Sequence, residues 1–122
     1  MRALVVDDSR VMRMVLKRQL TALGFDTVEA AHGLEALERL RGTTDVSVAL
    51  VDWNMPVMSG LDLVREIRSD PALAWLPVLM VTSESELDAV SLALSAGANE
   101  YLMKPFTEDS LRDKLELIGA VS

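Results

Sequence analysis

Hydrophobic positions along this chain alternate between short unbroken apolar runs and longer stretches in which they recur at helical spacing. A Gly or Pro follows most of the helical stretches and marks where each one ends. The helical stretches cover residues 9–23, 33–41, 59–69, 86–96 and the segment after Thr107. The runs between them predict five strands, at residues 3–6, 27–30, 48–51, 78–81 and 100–103. This regular alternation of strand and helix predicts an α/β fold.

The composition of the predicted strands indicates where they lie in the sheet. The first, third and fourth strands are apolar at every position, which is typical of parallel strands covered by helices on both faces. Glu29 in the second strand indicates an edge position. We therefore predict one domain over residues 1–122 with a flavodoxin-like, doubly wound (βα)5 architecture, in which a five-stranded parallel sheet has the order 2-1-3-4-5.

The helices and loops carry further predictions of burial. Leu34 is placed with other leucines on the apolar face of the second helix, and Leu94 on that of the fourth. Trp75, in the loop before the fourth strand, is expected to be partly buried. His32 is expected to be a solvated loop residue.

Composition narrows the range of functions. The 122 residues carry a net charge of −7, which argues against a nucleic-acid-binding surface, because phosphate contacts need clustered Lys and Arg. The absence of cysteine excludes disulfides, thiolate catalysis and Cys-ligated zinc. The first apolar run is too short for a signal peptide or a membrane span, so we expect a cytoplasmic protein that does not insert into membranes.

Polar residues stand directly after the predicted strands. Asp7 and Asp8 follow the first strand, Asp52 the third, Thr82 the fourth and Lys104 the fifth. The carboxyl ends of parallel strands meet at one edge of a sheet, and ligands bind there where the strand order reverses. Because the first and third strands are neighbours at that point, we expect the three carboxylates to converge in one crevice.

A crevice of this composition is suited to a hard cation and a phosphoryl group. Adjacent carboxylates repel one another, and Mg²⁺ or Mn²⁺, which prefer oxygen ligands, would relieve that repulsion. A carboxylate can attack phosphorus to form an acyl phosphate. The ammonium of Lys104 and the hydroxyl of Thr82 would then offset the charge on the phosphoryl oxygens.

Four motifs at these strand ends resemble those of one known family. They are Val5-Val6-Asp7-Asp8-Ser9, then Val51-Asp52-Trp53-Asn54-Met55-Pro56 with Gly60, then Met80-Val81-Thr82-Ser83-Glu84, and finally Tyr101 with Lys104-Pro105-Phe106. In this order they are similar to the motifs of response-regulator receiver domains. The resemblance covers essentially the whole chain.

The resemblance implies a role for each matching residue at the crevice. Asp52 corresponds to the phospho-acceptor, while Asp7 and Asp8 correspond to metal-binding acids. The backbone carbonyl of Asn54 corresponds to a further metal ligand. Lys104 corresponds to the phosphate-binding lysine.

The resemblance also implies a conformational switch. Thr82 and Tyr101 correspond to the pair that rearranges on phosphorylation, and Asn54 and Glu84 to positions that tune loss of the phosphoryl group. The family's lysine–proline peptide bond is cis, so the bond between Lys104 and its proline is expected to be cis.

The implied function is signalling, not turnover of a separate substrate. In this family a sensor histidine kinase supplies the phosphoryl group from a phosphohistidine, and the receiver catalyses its own phosphotransfer and dephosphorylation. The surface of the fourth helix, fifth strand and fifth helix then binds an output protein. Within the family, the likeness is to members that act in chemotaxis.

Three alternatives remain at this stage. The chain could be the receiver part of a longer transcription factor or output enzyme. A haloacid-dehalogenase-type phosphatase also uses an aspartate nucleophile, but it needs an acid two residues later, where this chain has Ser9 and Asn54. A flavodoxin needs a phosphate-binding loop rich in Ser, Thr and Gly after the first strand, where Asp7 and Asp8 would repel a phosphate.

Overall fold

Strands and helices alternate from the start of the chain to its end. The computed structural model describes residues 1–83 and 87–120. None of the helices in these ranges is long and apolar enough to cross a membrane. The elements are β1 (Arg2–Val6), α1 (Arg10–Ala22), β2 (Asp26–Ala30), α2 (Gly33–Gly42), β3 (Val46–Asp52), α3 (Gly60–Ser69), β4 (Val78–Ser83), α4 (Leu87–Ala96), β5 (Glu100–Lys104) and α5 (Glu108–Leu117).

The five strands form one parallel sheet with the order β2-β1-β3-β4-β5, which confirms the predicted architecture. Strand β2, which carries Glu29, lies at an edge as expected. Val6 is paired with Val51, and Asp52 is paired with Val81. This register brings the carboxyl ends of β1, β3 and β4 to the same level, at the reversal of strand order.

The sheet is buried on both faces. Leu4 and Val6 of β1 pack into a core that includes residues of α2 and α3, whereas Val5 packs with residues of α1 and α5 on the other face. Alternate side chains of a strand point to opposite faces, so a strand between two helical layers needs apolar residues at every position. Burying each large aliphatic side chain contributes about 1.5–3 kcal/mol.

Polar side chains begin several helices by accepting backbone N–H groups that have no partner within the helix. Ser9 and Ser59 do so for α1 and α3, and Thr107 does so for α5. His32 does the same for α2, where its Nδ1 accepts from the N–H of Glu35 at 3.2 Å. His32, expected to be a solvated loop residue, is therefore half-buried and also caps a helix.

Two leucines predicted to face the core lie outside it. Leu34 is 51% exposed and Leu94 is 41% exposed. The buried residues of α2 are 33, 36, 37 and 40, which form a continuous stripe along one face of the helix. Leu34 lies outside this stripe. In α4 the small side chains of Ala89 and Ala93 face inward. Leu94, the next residue after Ala93, lies at the surface.

Trp75 is also more exposed than predicted, at 64%. Its neighbours Leu73 and Leu76 fill the space under the loop between α3 and β4. The indole N–H donates to the carbonyl of Ala72 at 2.9 Å, which fixes the ring across its own loop. The expectation of partial burial was wrong because Leu73 and Leu76 supply the buried contacts instead.

Arg68 stabilises the edge of the sheet at which β4 and β5 begin. Its Nε donates to the carbonyl of Gly97 at 2.9 Å, and its Nη1 donates to the carbonyls of Ala74 and Leu76 at 3.1 and 2.7 Å. Its Nη2 donates to Oδ1 of Asn99 at 2.9 Å. One guanidinium therefore joins α3 to the loops before β4 and before β5, which a lysine cannot do because its donors radiate from one nitrogen.

We expect Arg68→Lys to lower the free energy of unfolding by about 2–3 kcal/mol, since several carbonyls lose a charged donor. Urea denaturation followed by circular dichroism measures this change. Arg65→Lys on the same helix is the control, because the Arg65 side chain is 61% exposed and its substitution should change stability by less than about 0.5 kcal/mol. Equal losses in the two variants would contradict the assignment.

Candidate functional site

Asp7 is held rigidly between β1 and α1. Its N–H donates to the carbonyl of Ala30 at 3.1 Å, and its own carbonyl accepts from Nη1 of Arg13 at 2.6 Å. Its carboxylate Oδ1 accepts the N–H of Ser9 at 2.8 Å. The side chain is buried, whereas that of the next residue, Asp8, is exposed at the rim. One acid therefore lies beneath the crevice and the other at its mouth.

Asp52 lies at the end of β3, between β1 and β4, and is buried. The Nζ of Lys104, at the end of β5, donates to its Oδ1 at 3.1 Å. The same ammonium lies 3.8 Å from Oδ2 of Asp7. Lys104 thus bridges the acids of two strands, and the peptide bond that follows it is cis, as expected.

The predicted convergence of the three carboxylates is confirmed. One oxygen each from Asp7, Asp8 and Asp52 lies within 4.8 Å of the others. Oδ2 of Asp7 is buried and accepts no hydrogen bond from any residue that the structure describes, because the ammonium of Lys104, at 3.8 Å, is too far away to donate to it. A buried carboxylate oxygen without a donor, among two further carboxylates, fits a hard divalent cation such as Mg²⁺.

The electrostatics of the crevice favour protonated or cation-bound acids. Burial is the main cause that raises the pKa of Asp52 to about 6, and repulsion by Asp7 adds to it, while Lys104 opposes it. Burial likewise raises the pKa of Asp7, against the hydrogen bond from Ser9 and the charge of Lys104. Lys104 therefore compensates the negative charge only in part, and the site retains an affinity for additional positive charge.

The two residues predicted to switch lie on neighbouring strands. Thr82 on β4 is buried, and its hydroxyl donates to the carbonyl of Ser83 at 2.9 Å, not to the carboxylate of Asp52. Tyr101 on β5 is half-buried and packs against the core. Asn54 is exposed two residues beyond the end of β3. Glu84, the other residue predicted to tune phosphoryl loss, lies outside the described residues.

Gly60, the first residue of α3, allows the loop after Asp52 to close tightly. Its N–H donates to the carbonyl of Trp53 at 3.0 Å. A Cβ at this position would overlap the carbonyl oxygen of Asp52 and lie 2.9 Å from Cε of Met80. The sequence motif contained this glycine, but only the folded structure shows that its missing side chain makes room for the backbone of Asp52.

We expect Gly60→Ala to lower the free energy of unfolding by about 1–3 kcal/mol, as overpacking does, and to displace Asp52. Thermal unfolding and the rate of phosphate incorporation from a small phosphodonor measure the two effects. Gly42→Ala at the end of α2 is the matched control, because a Cβ there meets nothing within 4 Å. If the two alanine variants behaved alike, the steric explanation would be wrong.

A cavity of about 420 Å³ lies at the opposite edge of the sheet, where β3 begins. Leu40, Val46, Leu73 and Trp75 are among its lining residues, and the predicted site residues are not. The acid-lined crevice alone joins acids from two strand ends to an ammonium from a third within the described part of the chain. The charged side chains therefore indicate that the candidate functional site is the crevice and not the cavity.

The five-stranded parallel sheet and the acid-lined crevice at its carboxyl edge agree with the class of signalling domain that comparison with known proteins gives. Residues 3–116 match the family model described as the response regulator receiver domain. The chain belongs to this family. The phosphatase and flavodoxin interpretations receive no support from the match.

Within the family, the chain is similar over nearly its full length to chemotaxis proteins of the CheY type. It is 48% identical over 119 residues to the chemotaxis protein CheY1 of Helicobacter pylori, covering 97% of this chain and 96% of that protein. It is 49% identical over 117 residues to the chemotaxis protein CheY homolog of Campylobacter jejuni, covering 95% and 90%. The structure of Vibrio cholerae CheY4 superposes with a TM-score of 0.88 at 32% identity, covering 96% of this chain and 97% of that one.

Proposed function

We propose that this chain accepts a phosphoryl group on Asp52 and thereby acts as a phosphorylation-dependent switch in chemotaxis signalling. The observation that carries the proposal is the placement of the buried Asp52 carboxylate, which shares a crevice with Asp7 and Asp8 and is contacted by Lys104 at 3.1 Å. The whole of residues 1–122 serves as one receiver domain. The family membership and the similarity to CheY proteins support both statements.

The phosphotransfer is an in-line displacement at phosphorus. A carboxylate oxygen of Asp52 forms the new bond to phosphorus while the bond from phosphorus to the imidazole nitrogen of a phosphohistidine breaks. The leaving electron pair stays on that nitrogen, and the product is an acyl phosphate. A sensor histidine kinase is the proposed donor, and small acyl or amido phosphates can replace it.

Positive charge must accumulate around the incoming phosphoryl oxygens, because both reactants are anionic. Lys104 already contacts Asp52 and can shift its ammonium to a phosphoryl oxygen without leaving the crevice. Asp7, Asp8, Asp52 and the backbone carbonyl of Asn54 would hold the divalent cation. Bound there, Mg²⁺ or Mn²⁺ would supply positive charge next to the transferring group.

Phosphorylation is proposed to be transmitted through two strands to the surface formed by α4, β5 and α5. The Thr82 hydroxyl, which donates to the Ser83 carbonyl before modification, turns to donate to a phosphoryl oxygen. Tyr101 moves into the space that this leaves, and an output protein binds the changed surface. Asn54 and Glu84 tune the hydrolysis that returns Asp52 to its free state.

Incubation with Mg²⁺ and a small amido phosphate, followed by intact-mass measurement, tests the proposal. The expected result is a gain of one phosphate that is labile in base and maps to Asp52. Omitting the Mg²⁺ should abolish the gain. A mass that stays unchanged under saturating donor and Mg²⁺ would refute the proposed function.

A further inference from the structure

A lysine of α5 lies directly over the ring of Tyr101. The Nζ of Lys114 is 4.3 Å from the ring centroid, within the range of a cation–π interaction. The same ammonium is 3.3 Å from Oε1 of Glu100. That oxygen also accepts the backbone N–H of Tyr101 at 3.0 Å. Lys114 of α5 and Glu100 of β5 therefore form one connected group with Tyr101.

The group is less exposed to solvent than an ordinary surface ion pair. The side chains of Lys114 and Glu100 are only 25% and 24% exposed. Partial removal from water strengthens both the ion pair and the attraction of the ammonium to the ring. Glu100 is fixed by the N–H of Tyr101, so it holds the ammonium over this ring instead of leaving it free in solvent.

The position of Thr82 identifies which state the group stabilises. Its hydroxyl donates to the Ser83 carbonyl and is not directed at Asp52, as expected before phosphorylation. The ring position seen together with this hydroxyl orientation is therefore the resting one. In this resting position Lys114 lies over the ring, and Glu100 contacts Lys114 and the backbone N–H of Tyr101.

We propose that Lys114, oriented by Glu100, is a positioning residue that holds the Tyr101 ring in its resting place and sets the threshold for the switch. This inference rests on the proposed function, because it assumes that Tyr101 moves when Asp52 is modified. Moving the ring breaks the contact with the ammonium, so the contact opposes the active state. A contact of this kind shifts a two-state population by about two- to fivefold.

The test uses the fact that Tyr101 is the one tyrosine of the chain. Incorporation of 3-fluorotyrosine gives a single ¹⁹F resonance, and relaxation dispersion measures the population of a second ring position in the unmodified protein. The variants are Lys114→Met, which removes the cation but keeps the length, and Lys114→Arg, which retains it. Arg112→Met is the matched control, because it removes a cation of the same helix that lies near Asp109.

The expected result is a two- to fivefold larger second population in Lys114→Met, with wild-type values in Lys114→Arg and Arg112→Met. The concentration of beryllofluoride, a phosphoryl analogue, needed with Mg²⁺ to shift the resonance by half should fall by the same factor. Unchanged or undetectable exchange in Lys114→Met would overturn the role of Lys114. If beryllofluoride left the wild-type resonance unmoved, the proposed function would fail, while the populations without it would still decide whether Lys114 restrains the ring.

Discussion

Replacing Asp52 by Asn is expected to lower phosphate incorporation from a small phosphodonor by more than about 1,000-fold, the scale seen when a covalent nucleophile is removed. An amide nitrogen or oxygen does not attack phosphorus as a carboxylate does. The amide is close to the carboxylate in size, so the surrounding strand ends keep their packing. Intact-mass measurement after incubation with donor and Mg²⁺ gives the extent of labelling.

Two further variants make this result specific. Asp26→Asn removes an exposed acid at the start of β2, at the opposite edge of the sheet, and should label at the wild-type rate. Asp8→Asn removes an acid of the crevice that is not the acceptor, so labelling should persist but require a higher concentration of Mg²⁺. Wild-type labelling of Asp52→Asn would place the acceptor elsewhere, and normal Mg²⁺ dependence of Asp8→Asn would remove Asp8 from the cation site.

The position of the site could be predicted from the sequence because it depends on strand ends alone. Once β1 and β3 are recognised as parallel and adjacent, Asp7, Asp8 and Asp52 must meet at their shared edge. Nothing about side-chain orientation is needed for that step. The same reasoning brings Lys104 to the edge at the end of β5, since all five strands run the same way.

Features that depend on the rotation of a helix or on a single contact could not be predicted in this way. The outward turn of Leu94 depends on α4 presenting Ala89 and Ala93 to the sheet, and several apolar faces are compatible with so hydrophobic a helix. The cation–π contact joins Lys114 to a residue of a different element, and no spacing in the sequence marks such a pair. The unpartnered oxygen of Asp7 likewise follows from distances of a few tenths of an ångström.

The crevice proposed to serve phosphotransfer is also expected to be a local source of instability. The carboxylate of Asp52 is buried near Asp7, and the positive charge that compensates it among the described residues is the ammonium of Lys104. Groups arranged for function commonly reduce stability in this way, because the charge they need is costly to bury. Burial of the Asp52 charge should therefore lower the free energy of unfolding when no cation is bound. Removing that charge by substitution should abolish this loss of stability.

In metal-free buffer at pH 7.5, Asp52→Asn is therefore expected to raise the free energy of unfolding by about 1–2 kcal/mol. The folded protein raises the pKa of Asp52 from 3.8 to about 6, so between these values it binds the proton more tightly than the unfolded chain does. Wild-type stability accordingly falls, relative to the variant, as the pH rises from about 4 to 6. The pKa difference, which already includes the attraction of Lys104, corresponds to roughly 3 kcal/mol. The gain should be smaller because the variant buries an amide, and burying that polar group also costs free energy.

Urea denaturation at pH 4, 5 and 7.5 measures the difference between the two proteins, with Asp26→Asn as the control for loss of an exposed carboxylate. The difference should be near zero at pH 4 and complete above pH 6. Mg²⁺ at about 100 times its dissociation constant should stabilise the wild type by about 2.7 kcal/mol and reverse the order, because the variant lacks one of the carboxylates proposed to hold the cation. A variant that was less stable than wild type in metal-free buffer at pH 7.5 would show that Asp52 is not destabilising in the folded state, and a wild type indifferent to Mg²⁺ would show that the crevice holds no cation.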